Sequence, residues 1–137
     1  MLNSEINAQS KHFPTGFRRD FDAHVYYTSQ TRDDALRLRD RALADFDGLP
    51  VFVGAMIDRL VGPHPIPMFE MCFPNDLFGQ AVLWLLHQRR NLTVLVHEVT
   101  GDDLRDHSVG AFWLGDRLAL DESKLDPSPV NSSSLQL

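Results

Sequence analysis

His24 in AHVYY, His97 in LTVLVHE and Glu70 in PMFEMCF are the side chains of this sequence best suited to metal chemistry. Each lies in a short run rich in β-branched, aromatic or other apolar residues that reads as a strand. If the three strands share a sheet, alternation puts two imidazoles and a carboxylate on one face. That set holds ferrous iron and leaves positions open for oxygen and substrate. An ionised Glu70 within apolar MFEMC needs a cation, a hydrogen-bond network or a raised pKa, unless it is a half-exposed surface residue paired with Arg59. His64 lies in GPHPIP, where flanking prolines fix its backbone, and its plain alternative is a solvated turn histidine. His107, beside Arg105 and Asp106 in GDDLRDHSVG, suits an acid or base, a further ligand or simple loop surface. His87 reads as a favourable charge near a helix C-terminus and His12 as part of a tail, and neither is assigned a role.

The elements that must position these residues follow from periodicity. Residues 23–28 predict a strand with His24 and Tyr26 on one face. A helix follows from Thr31, with Asp33 and Asp34 in its first turn, Ala35, Leu38, Ala42 and Phe46 as its stripe, and Gly48 as its stop. Residues 51–57 predict a second strand, GPHPIP a rigid reversal, and PMFEMCF a third strand with Met68, Glu70 and Cys72 sharing a face. Asn75 and Asp76 then cap a second helix carrying Phe78, Ala81, Val82 and Leu85, Arg89 and Arg90 complement its C-terminal dipole, and LTVLVHE is the fourth strand.

Strand, helix, strand, strand, helix, strand is the order of the α+β, ferredoxin-like βαββαβ plait, an antiparallel sheet in order 4-1-3-2 with two helices on one face. This topology sets His24 next to His97, with Glu70 on the other flank of the first strand. Val25, Phe69, Met71, Val94 and Val96 meet the helices; His24, Tyr26, Glu70 and His97 are left on the open face together with Met56, Met68 and Leu95. A face that apolar must be covered, by a second copy in a homodimer or by the segment carrying Val109, Ala111, Phe112, Trp113 and Leu114.

With 137 residues the chain predicts one domain over 22–123, preceded by an N-terminal tail over 1–21 and followed by a flexible C-terminal tail over 124–137. The net charge of -6 argues against nucleic acid as a partner. The lone Cys72 predicts a buried thiol in a reducing compartment. With no signal-like segment and no run of about 18 apolar residues, the expectation is a cytoplasmic protein without a membrane span.

HVYY, VGPHPIPMFEM, the LVHE strand end and GDDLRDHSVGAFWLG, in this order, resemble segments of the DOPA dioxygenase family of small ring-opening proteins. The resemblance covers about residues 22–120, and GPHP followed by PMFE is its specific part. One departure is Glu98, where the family pattern has proline. The resemblance implies a dimeric ferredoxin-like fold and extradiol cleavage of a catechol such as DOPA by non-haem Fe(II) and O2, with zinc as a substitute in purified protein. In that chemistry His24, His97 and Glu70 hold the iron, with His64 or His107 as an alternative third ligand. His64 or His107 moves the diol protons, Tyr26 or one of these histidines donates to the reacting oxygen, and Arg105 meets a substrate carboxylate. A different class of function is a non-catalytic dimeric binding module holding a metal or small aromatic ligand, which catechol-dependent oxygen consumption distinguishes. A third, zinc hydrolysis, would be independent of oxygen.

Overall fold

Antiparallel pairing of five strands organises the chain, for which the computed structural model describes Phe13 and residues 16–126. In chain order the elements are β1 (Phe21–Tyr26), α1 (Arg32–Asp45), β2 (Phe52–Val53), β3 (Met68–Phe73), α2 (Phe78–Gln88), β4 (Val94–Glu98), α3 (Asp103–Asp106) and β5 (Ala111–Leu114). Two 3-10 turns, Asn75–Leu77 and Glu122–Lys124, complete the set. The strand order β2-β3-β1-β4-β5 contains the expected 4-1-3-2 plait and adds β5 at its edge.

One layer of side chains fuses sheet and helices. Ala23, Val25, Phe69, Met71, Phe73, Val94 and Val96 from the strands meet Ala35, Leu38 and Ala42 of α1 and Ala81 and Leu85 of α2. Each fully buried valine, leucine or phenylalanine in such a layer is worth roughly 1.5–3 kcal/mol, so this face carries the fold and frees the opposite one for polar groups. The helical stripe of α1 is the one its spacing predicts, and Gly48 takes φ +82 just past its end. Its start has no side-chain cap, because the Thr31 hydroxyl accepts the Thr28 N–H at 2.9 Å and offers no bond to the helix. At α2, Asn75 and Asp76 lie in the preceding 3-10 turn and provide no side-chain cap.

The second strand is shorter than expected. Phe52 and Val53 pair with Cys72 and Met71, the Gly54 N–H donates to the Glu70 carbonyl at 2.8 Å, and pairing resumes only at an isolated Ile57–Met68 bridge. A Cβ at Gly54 would sit 3.3 Å from both the Glu70 Cγ and its carbonyl oxygen, so glycine permits the close approach at which the strand ends. Beyond it Met56 packs against the helix-side core, a correction to its expected place on the open face.

The cover for the open face comes partly from the chain itself. β5 pairs with β4, and Ala111 and Trp113 join Ile57, Ile66, Leu118 and Leu120 around buried Tyr26, Met68 and Leu95. Phe13 and Phe17, within the segment predicted as a tail, pack on Phe52 and Cys72. Leu125 is buried, whereas most of the predicted C-terminal tail lies outside the described residues. Among the described residues no helix is long and apolar enough to cross a membrane.

Candidate metal and catalytic site

β1 begins two residues earlier than periodicity predicts, which brings Asp22 onto the face that carries His24 and Tyr26. The register pairs His24 with Glu70 on one side and Leu95 on the other, and pairs Asp22 with His97. His24 and His97 are therefore diagonal neighbours on adjacent strands, β1 and β4. Diagonal positions remain within reach of long side chains, and here the two Nε2 atoms lie 3.0 Å apart.

Both imidazoles are buried. Nδ1 of His97 donates to the Glu98 carbonyl at 2.6 Å, so in the neutral ring Nε2 bears the lone pair and the proton between the two rings belongs to His24. Burial, helped by the facing His107, holds His97 below the ordinary imidazole range despite the nearby Asp22 carboxylate, and the ring is neutral at neutral pH. Two nitrogens each about 2.1 Å from one divalent ion, at a right angle, would be about 3 Å apart, so the spacing fits a shared metal.

The carboxylates divide between two sets. One oxygen of Asp22 and one nitrogen each of His24 and His97 lie within 4.8 Å of one another. Glu70 is buried across from His24, yet its ligand atoms converge in the same way with Asp22 and Cys72. The cation beside both carboxylates is Arg19, not Arg59. Its Nε donates to Asp22 at 2.8 Å and its Nη2 lies 3.6 Å from Glu70. Burial works to raise the Asp22 carboxyl, but Arg19 outweighs it and holds the group below the usual range. One guanidinium for two carboxyl groups leaves an excess negative charge when both are ionised, the sign that favours a bound cation. Burial, together with Asp22 and Glu70, pushes the Cys72 thiol well above its usual range, consistent with a structural thiol.

The other two histidines close the site. His64 is buried, its Nδ1 lies 2.7 Å from the Tyr26 hydroxyl, and its ring centre is 4.2 Å from that of His24. His107 is half-buried with its ring centre 4.1 Å from His97. Nitrogens of His24, His64 and His107 form a third convergent set within 4.8 Å. The Nδ1 of His107 donates to the Asp103 carbonyl at 2.8 Å, which leaves Nε2 as the acceptor in the neutral ring.

The loop that carries His107 is built by its own acids. Asp102 caps α3 by accepting the Arg105 N–H at 3.1 Å, and buried Asp106 accepts both the N–H and the hydroxyl of Thr100 at 2.7 Å. Arg105 is held by the Glu98 carboxylate and lies 3.5 Å from Asp106, while Gly110 leaves room for it, since a Cβ there would be 2.5 Å from Nη1. Glu98 also donates its N–H to the Gly110 carbonyl at 3.0 Å, a bond that proline could not make. Asp106→Ala is expected to cost about 1–3 kcal/mol in urea unfolding, the scale of hydrogen bonds lost to a buried carboxylate, without removing a metal held at β1 and β4.

A cavity of about 320 Å³ opens beside His107 and is also lined by Trp113, Arg117 and Glu122. A larger cleft of about 580 Å³ between α1 and the chain after α2 is lined by none of these histidines. Asp22, Arg19, Trp113 and Arg117 were not among the site residues expected from sequence. Asp22 carries a readable signal, because it stands two residues before His24 and so shares its face.

The model of the Dopa 4,5-dioxygenase family matches residues 21–124. The chain is 32% identical over 141 aligned residues to a DOPA 4,5-dioxygenase of Amanita muscaria, covering 100% of this chain and 59% of that protein. It is also 32% identical to an uncharacterized 21.2 kDa protein of Botryotinia fuckeliana, covering 90% and 76% of the two chains. A crystal structure from Nostoc punctiforme, described as that of "a putative dioxygenase", superposes with a TM-score of 0.72 at 38% identity, covering 82% of this chain and 95% of the other.

Proposed function

The chain belongs to the Dopa 4,5-dioxygenase family, and from that premise we propose that it is an extradiol dioxygenase that opens the ring of a catechol such as DOPA with non-haem Fe(II) and O2. The observation that carries this reading is the 3.0 Å approach of two buried imidazole nitrogens, His24 Nε2 and His97 Nε2, beside the Asp22 carboxylate. His24, His97 and Asp22 supply two nitrogens and one oxygen for the ion. Arg19 bonds and orients the Asp22 carboxylate and itself lies 3.6 Å from Glu70. Ferrous iron, when bound, brings the diol and oxygen together and acidifies the diol hydroxyls.

The remaining residues handle protons. His107 borders the cavity with its Nδ1–H tied to Asp103, so its Nε2 takes a proton from the diol and later returns one. Burial raises the Tyr26 hydroxyl above its ordinary range, and it stays protonated and can donate to His64 Nδ1. His64 then keeps its proton on Nε2 and acts as a donor to the reacting oxygen.

The direct test is anaerobic loading with ferrous iron, then addition of DOPA, caffeate or protocatechuate and of oxygen, with visible absorbance and oxygen uptake followed together. The expected result is a yellow ring-opened product with one O2 consumed per catechol. Iron-loaded protein that consumes no oxygen with any catechol would turn the reading to a non-catalytic module that stores a metal or an aromatic ligand.

A further inference from the structure

The cavity beside His107 is the space a substrate would enter, and its volume of about 320 Å³ is at the small end of ligand pockets, suited to one substituted ring. Trp113 forms part of its wall and stacks on Tyr26, with ring centres 5.9 Å apart and 24° between the planes. Tyr26, itself buried, meets His64, so a chain of aromatic contacts runs from the cavity wall to the imidazole cluster. The far part of the cavity carries charge. Arg117 lines it, is exposed, and forms no ion pair with any described residue.

The other arginines near the site are committed elsewhere. Arg105, next but one to His107 in sequence, is held by Glu98 beside Asp106, and Arg19 is held by Asp22. A guanidinium already bound to a carboxylate must give up that pair before accepting another, whereas Arg117 has its planar fork of donors available. We propose that Arg117 reads a carboxylate on the substrate, so that the site takes a catechol with an anionic substituent and seats its ring beside Trp113. This inference rests on the ring-opening reading above for the identity of the ring as a catechol. Glu122, on the same cavity, carries the opposite charge and makes a catechol amine the competing ligand.

Anaerobic calorimetry on the iron-loaded protein tests the assignment with three probes: 3,4-dihydroxyphenylacetate, dopamine and 4-methylcatechol. The acid is expected to bind about tenfold more tightly than 4-methylcatechol, and Arg117→Gln to weaken the acid about tenfold more than the neutral probe, the scale of one charge-assisted hydrogen bond. A preference for the acid that survives Arg117→Gln, a loss shared equally by all three probes, or tightest binding of dopamine would overturn it. Admitting oxygen at the end of each titration separates the two readings. A margin erased by Arg117→Gln with no oxygen uptake keeps the carboxylate reader and removes the ring-opening reaction. Uptake with every probe and no margin does the reverse, and failure of all three probes to bind overturns both.

Discussion

His24→Ala is expected to abolish metal binding and, with it, catechol-dependent oxygen uptake. Among the described residues His24 is the one histidine shared by the two convergent sets that contain histidine, with Asp22 and His97 on one side and with His64 and His107 on the other. No rearrangement between those sets replaces it. The substitution should leave the fold intact, because β1 is anchored through Ala23 and Val25 on the opposite face of the sheet. Metal content after iron loading and desalting should fall from near one ion per chain to near none, with circular dichroism unchanged. His97→Ala should do the same, and the ranking of Asp22→Ala, Glu70→Ala and His64→Ala by residual metal then identifies the third ligand. Metal uptake must also move the His24 proton from Nε2 to Nδ1, and full protonation of either imidazole removes the lone pair the ion needs, so apparent affinity should fall as pH falls. Full occupancy in both His24→Ala and His97→Ala would sink the assignment.

Alternation made most of this site legible in the sequence. The helix-facing set Val25, Phe69, Met71, Val94 and Val96 and the opposite set His24, Tyr26, Glu70 and His97 follow from a period of two once the plait is recognised, and both sets stand in the structure. Boundaries and register were less accessible. Asp22 was missed because β1 starts at Phe21, and a strand begun at residue 23 leaves that carboxylate out of the sheet. The diagonal placement of His24 and His97 depends on how far β4 slides along β1, which hydrogen-bond pairing decides and hydrophobic pattern does not. Arg19 and Arg117 lie outside the strands, where alternation carries no information, and Trp113 lies on an edge strand that the four-stranded plait does not contain. Tertiary contact alone brings Trp113 against Tyr26 and Arg117 onto the cavity beside His107.

His107→Ala is expected to retain iron and to lower kcat by about 100-fold, the usual scale for a lost general acid or base. His107 is the histidine that lines the cavity, and its loop is fixed by the Asp102 cap and the Thr100–Asp106 bonds, so the ring is held in place before a substrate arrives. With Nδ1 tied to Asp103, Nε2 is the nitrogen left for proton exchange. A group that merely supports the loop would lower stability and leave the shape of the pH–rate profile alone. A base must instead remove one limb of that profile when deleted. The alanine also leaves an imidazole-sized gap beside a cavity open to solvent, so added imidazole should restore part of kcat in His107→Ala and none in His24→Ala. Loss of iron in His107→Ala would move this residue into the ligand set with His24 and His64, and an unchanged kcat would leave the diol proton to the Tyr26–His64 pair.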